Sequence, residues 1–268
     1  MEDYEILTTI LSALEWRRFN GDIKMITDET GAEYYRSLGI EHVWNLGVET
    51  TLNSNDRLAK IDPFLFWAAG KIFALQRQKV QCVMLDTDFI VWDKISEISE
   101  FVIVVAHREY ISDTVYPDAS AFEMRKGYHF PIEWNWSALP CNTAFLFMGD
   151  EAFKTYYTDT SIQFIMSLIN GPTNIATMVF AEQRLLAMCA EIKDIPIKTL
   201  MDVDFLEEQK SFTHIWGFKN TLKSDRKTRD DFCLRCVERI LKDFPGEENM
   251  LSGIDVIQPY YKIYRSKQ

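Results

Sequence analysis

No apolar run in this 268-residue chain approaches the ~20 residues that a membrane-spanning helix needs, so no transmembrane segment is expected. The opening residues Met1-Glu2-Asp3-Tyr4-Glu5 lack both the basic start and the apolar stretch of a secretory signal. Without that signal, the glycosylation pattern Asn135-Trp136-Ser137 reads as chance. Basic side chains are the minority: 29 Lys and Arg against 40 Asp and Glu give a formal net charge of -11. This argues against nucleic acid or an anionic membrane as the main partner. Cysteines number five, an odd count. Cys82, Cys141 and Cys189 sit in apolar surroundings where a thiol behaves as a small hydrophobe, which fits a reducing cytoplasm. Cys233-Leu234-Arg235-Cys236 has the spacing of half a zinc or redox motif, but no second Cys/His pair lies near it and the segment reads as helix. Internal repeats, low-complexity segments and linkers are missing too. The expectation is one domain over residues 1–268 with a helical C-terminal extension from about Asn220.

What the chain has is core-forming material, 47% hydrophobic residues, in a helix and strand alternation. Ile6, Leu7, Ile10, Leu11, Leu14 and Phe19 recur at helical spacing and Asn20-Gly21 closes the run. Ile23 to Ile26 alternates as a strand, a helix runs through Tyr34, Tyr35 and Leu38 to Gly39, and His42 to Leu46 reads as another strand. Asp62-Pro63 predicts the start of a buried, nearly all-apolar helix through Leu75, with Lys71 its one cation. Val80 to Leu85, Phe101 to Ala106, Thr143 to Met148 and Ile195 to Leu200 read as strands, and Glu151 to Ile169, Thr173 to Met188 and Asn220 to Phe244 as helices. This order predicts α/β architecture, with a mostly parallel sheet and crossover helices. His107 to Leu139 is irregular and aromatic, as a functional loop or lid would be.

Two stretches carry chemistry. In Leu85-Asp86-Thr87-Asp88 two carboxylates follow a buried strand directly, at the sheet end where open α/β folds bind ligands. Such oxygen ligands suit Mg2+ or Mn2+; a plain Asp-rich turn is the structural alternative. Phe212 to Lys219 packs a histidine, a glycine and a lysine into a short space. Asp86, Asp88 and His214 can hold one divalent cation, with Lys71 and Lys219 neutralising phosphates bound to it. Taken singly, Lys71 reads first as a snorkelling lysine, His214 as a structural histidine and Lys219 as a surface charge.

Together these motifs resemble those of GT-A type glycosyltransferases. Leu85-Asp86-Thr87-Asp88 resembles the DxD motif, Pro140-Cys141-Asn142-Thr143-Ala144-Phe145-Leu146-Phe147 the Asn-rich strand start after it, and Glu182-Gln183 the Asp-Gln pair on a later helix. His214-Ile215-Trp216-Gly217-Phe218-Lys219 resembles the His-x-x-Gly-x-Lys element of glycogenin-like and bacterial galactosyltransferase-like enzymes. Thr27-Asp28, Phe66-Trp67-Ala68-Ala69-Gly70-Lys71, the DxD strand and Phe212 to Lys219 are similar to an uncharacterised bacterial family assigned as glycosyltransferases. The resemblance implies a Rossmann-like GT-A sheet flanked by helices, its usual first strand missing, and transfer of a hexose from a nucleotide-sugar, a UDP-sugar first, to a glycan, lipid or protein acceptor. It implies that Asp86, Asp88 and His214 ligate Mn2+ or Mg2+. Asp28, Lys71, Asp86, Gly217 and Lys219 would hold the donor, and Asn142, Glu182 and Gln183 would line the sugar or acceptor side, with retention of configuration. Glu182 stands where the family has Asp.

Two other classes remain open on the same residues. A degenerate GT-A domain would bind a sugar or a partner protein without catalysis. A haloacid-dehalogenase-like phosphatase also places Asp-x-Asp after an apolar strand, but leaves His214 to Lys219 unexplained.

Overall fold

The computed structural model describes residues 1–53, 56–96 and 98–268. Helix α1 (Asp3–Phe19) starts where the Glu2 N–H donates to the Glu5 carboxylate at 2.9 Å, one half of a capping box. Strand β1 (Met25–Ile26), helix α2 (Glu29–Ser37) and strand β2 (Val48–Glu49) follow, with β1 and β2 paired in parallel across the helix. The second strand therefore lies beyond His42 to Leu46, where it was expected. The Arg17 guanidinium takes the carbonyls of His42 and Val43, both at 3.1 Å, so those groups are not free for a sheet ladder. Gly47, at φ +84°, then turns the chain into β2.

Helix α3 (Ala69–Arg77) begins later than Asp62-Pro63 predicts. The Asp62 carboxylate accepts from the Phe64 N–H at 2.8 Å and closes a separate turn, the local competition that Asp offers to helix propagation. Phe64 and Trp67 are left exposed, which corrects the expectation of a buried helix over this stretch. Strands β3 (Cys82–Leu85), β4 (Phe89–Val91), β5 (Ile103–Arg108), β6 (Glu123–Met124) and β7 (Cys141–Met148) come next. Then follow α4 (Glu151–Ser167), β8 (Leu168–Asn170), α5 (Asn174–Val179), a π-turn over Phe180–Arg184, α6 (Leu185–Ile192) and β9 (Ile197–Thr199). Strand β10 (Phe212–His214) and helices α7 (Lys219–Ser224), α8 (Arg226–Asp243), α9 (Glu248–Gly253) and α10 (Gln258–Ser266) complete the chain. No helix among the described residues is long and apolar enough to cross a membrane.

The chain groups into two compact units. The first comprises Met1–Thr50, Thr87–Ile95 and Lys210–Gln268. Its core is α1, whose Tyr4, Leu7, Ile10 and Leu11 pack with Val237 and Ile240 of α8 and with Leu251, Ile257 and Tyr260. The helices after Lys219 thus share their core with the N-terminal helix. In the same unit β4 and β10 form an antiparallel pair, and Phe89 stacks on Phe212 at 4.8 Å.

The second unit comprises Thr51–Asp86 and Ser96–Gln209. Its sheet has the order β3-β7-β5-β9, and all eight residues of central β7 are buried. β7 runs antiparallel to β3 and β5, and only the β5–β9 pairing is parallel, so the sheet is mixed rather than mostly parallel. Arg108 pairs with Cys141 and the Glu109 N–H donates to the Pro140 carbonyl at 2.9 Å, which makes the intervening segment a wide hairpin. A hairpin can only deliver an antiparallel strand. That segment is also anchored. The Arg184 guanidinium donates to the carbonyls of Tyr116, Pro117 and Trp136, while Phe122 and Trp134 are buried and Phe122 lies 4.7 Å from the Phe180 ring.

One buried acid in the first unit makes its stability depend on pH. Glu15 of α1 is wholly buried, with Arg18 and Arg239 each 3.6 Å from its carboxylate and Asp243 paired with both arginines. Burial pushes its carboxyl up to about 7, with Asp243 adding to the rise and Arg239 opposing it. The folded chain therefore holds this proton more tightly than the unfolded one. The resulting stability is fully present below about pH 4.5 and is lost as pH climbs through about 7, on the order of 3 kcal/mol in all. Glu15→Gln is expected to flatten that slope, as read by urea unfolding at about pH 5 and about pH 8. A slope unchanged by the substitution would refute this account of Glu15.

Candidate metal and diphosphate site

The hydrogen bonding of β3 to β7 continues one residue past Leu85. The Asp86 N–H still donates to the Ala144 carbonyl at 2.8 Å, so this aspartate is held by the sheet although its side chain lies past the strand. Lys71, from the third residue of α3, places its ammonium 2.6 Å from the Asp86 carboxylate. The same ammonium pairs with Glu182 and donates to the Thr143 carbonyl at 3.2 Å. Thr143 also donates its hydroxyl to Glu182 at 2.8 Å. Lys71 is therefore a paired, inward cation and not a snorkelling one. Burial acts to lower its pKa, but the Asp86 and Glu182 carboxylates outweigh this and hold it raised.

Glu182 reaches Lys71 from the π-turn Phe180–Arg184, and its own carbonyl accepts from the Tyr157 hydroxyl at 2.6 Å. An extra residue in a helical turn re-aims the side chains on it, and such turns recur at functional sites. Gln183 accepts from the Tyr116 hydroxyl at 2.5 Å. Asn142, buried at the start of β7, donates to Glu109 at 2.9 Å and accepts from the Ala144 N–H at 3.2 Å. The second unit thus brings together Lys71, Asp86, Thr143 and Glu182, with the Asn142 pair one position along β7.

The second aspartate is held differently. Asp88 precedes β4, and its side chain is only 9% exposed. Lys219, the first residue of α7, lies 2.8 Å from one carboxylate oxygen, and the His214 Nε2 lies 3.8 Å from the other. His214 is placed by the β4–β10 pairing, opposite Phe89. Asp86 stands just before Asp88 on the chain, and Asp86, Asp88 and His214 are a group of residues that could hold a metal ion. The two carboxylates are oxygen donors that suit Mn2+ or Mg2+, and an imidazole nitrogen beside them favours a transition metal such as Mn2+ over Mg2+.

Two expected donor residues have other settings. Asp28 caps α2, accepting from the Gly31 N–H at 2.7 Å. A Cβ at Gly217 would meet nothing within 4 Å, so no steric demand fixes glycine there. Glu109 and Tyr116, which touch Asn142 and Gln183, carried no motif. Glu109 alone had a readable signal, an acid just past the end of a strand, as Asp86 is.

No curated protein and no solved structure matches the chain. The profile of the family of unknown function DUF6734 matches residues 1–251, and the chain belongs to that family.

Proposed function

We propose that this protein is a metal-dependent glycosyltransferase of GT-A type, moving a sugar from a nucleotide-sugar, with UDP-sugars the first donors to test, to a glycan, lipid or protein acceptor in the cytoplasm. The observation that carries the reading is the Asp86-Thr87-Asp88 carboxylate pair with a lysine on each, Lys71 on Asp86 and Lys219 on Asp88, and with His214 beside Asp88. Bound there, Mn2+ or Mg2+ would act as a Lewis acid on the departing diphosphate. Lys71 and Lys219 are the cations that neutralise phosphate oxygens, exchanging carboxylate for phosphate partners. Asp86 also meets the ribose or sugar. Asn142, Glu182 and Gln183 offer hydroxyl-binding groups on the sugar and acceptor side, held by Glu109, Thr143 and Tyr116. All five cysteines are free thiols, in keeping with a reducing compartment.

A second reading, a sugar- or protein-binding module without catalysis, draws on the same pairs, since each aspartate has a lysine partner within the protein itself. Thermal melting with Mn2+ and a panel of nucleoside diphosphates separates the two. A ligand that binds only the folded chain at 100 times its Kd stabilises it by about 2.7 kcal/mol. Transferase function requires a manganese-dependent rise with at least one nucleotide; a flat response across the panel leaves the binding module standing.

A further inference from the structure

We propose that Trp216 is a stacking platform for a ring carried by the diphosphate ligand, and so a residue that decides which ring-bearing diphosphates the site holds; this rests on the reading above. Trp216 is 58% exposed although Ile215 before it is 2% exposed. Single exposed apolar residues are ordinary on protein surfaces. What sets Trp216 apart is its position between two residues of the site.

The indole centroid lies 6.2 Å from the His214 imidazole, with the planes at 49°. The N–H groups of Phe218 and Lys219 both donate to the Ile215 carbonyl, at 2.9 and 3.0 Å, and buried Ile215 fastens this turn to the core. The backbone carrying Trp216 is thus fixed at both ends, by His214 in β10 and by Lys219 in α7. Phe218 on the same turn packs on Phe232 of α8 at 6.1 Å. Next to Trp216 on the chain, the Cβ position of Gly217 has nothing within 4 Å, so a side chain does not crowd this part of the turn.

Lys219 and His214 both reach Asp88. A phosphate drawn to Lys219 therefore brings whatever it carries toward the indole. An uncharged aromatic face has nothing to offer the phosphate itself. It does bind a ring face, either a nucleobase or the C–H face of a pyranose.

The test is calorimetric titration of the full chain with pyrophosphate, uridine diphosphate and uridine diphosphate glucose, all in Mn2+, for the wild type, Trp216→Ala and Trp216→Phe. Pyrophosphate should bind all three proteins alike. Trp216→Ala should weaken a ring-bearing ligand by roughly tenfold, the scale of base–aromatic stacking, and Trp216→Phe by less. A loss that begins with uridine diphosphate assigns the base or ribose to the indole; a loss seen only with the glucose ester assigns the pyranose. Equal affinities in wild type and Trp216→Ala, or a pyrophosphate loss as large as the others, overturns the stacking role and leaves the metal site in place. A wild type that binds none of the three overturns the diphosphate reading and the stacking role with it.

Discussion

Lys71→Met is expected to cost about 3–5 kcal/mol of stability, the range found when one partner of a buried ion pair is removed. The magnitude follows from Glu182 more than from Asp86. The Glu182 side chain is 4% exposed, whereas that of Asp86 is 29% exposed and can turn to water. Methionine keeps most of the lysine volume, so a cavity contributes little and the loss measures an uncompensated buried carboxylate. Lys71→Met combined with Glu182→Gln removes both charges and should recover most of the loss, since a buried polar pair replaced by neutral groups is often close to neutral in stability. Urea unfolding of the two variants decides the matter. A loss under about 1 kcal/mol in Lys71→Met, the level of an exposed pair, would mean that Glu182 is solvated and that Lys71 does not hold it.

The same residues show what was legible in the sequence. The Asp86 strand could be read because an apolar, β-branched run stops at two carboxylates, a local signal. Helix α1 was legible for a similar reason, its periodicity being uninterrupted from Ile6 to Leu14. The His214 to Lys219 element was readable as a motif, and Lys219 and His214 do both approach Asp88. What failed depended on partners far along the chain. Arg17 takes the carbonyls of His42 and Val43, so the strand expected there forms beyond Gly47. The pairing of Arg108 with Cys141 turns an expected parallel neighbour into an antiparallel one, and no periodicity encodes it. Glu182 was picked out from a resemblance, but its contact with Lys71 depends on a π-turn, which leaves no signature in a window of helical spacing. Asp62 shows the reverse fault: a good helix-start signal closed one turn and went no further.

Asp88→Ala should abolish the manganese-dependent binding of nucleoside diphosphates while leaving the metal-free chain nearly as stable as before. The two halves of this expectation have separate causes. Asp88 is the residue that joins His214 and Lys219, so in the proposed site its loss would remove a metal ligand and also free the cation that would meet phosphate. Removing groups that merely orient metal ligands costs 10–100-fold in affinity, so roughly a hundredfold is a floor for a ligand itself. At a ligand concentration set to 100 times the wild-type Kd, the stabilisation of about 2.7 kcal/mol would fall below about 0.5 kcal/mol. In the metal-free chain the Lys219 side chain is 33% exposed and can return to water once Asp88 is gone, so its lost ion pair is worth no more than about 1 kcal/mol. Melting curves with and without Mn2+ give both numbers from one preparation. A variant that still shows the full manganese-dependent rise would remove Asp88 from the metal site. A variant that loses the rise only because it has unfolded would show it in the metal-free curve, and Asp88→Asn, which keeps the shape and removes the charge, would then take its place.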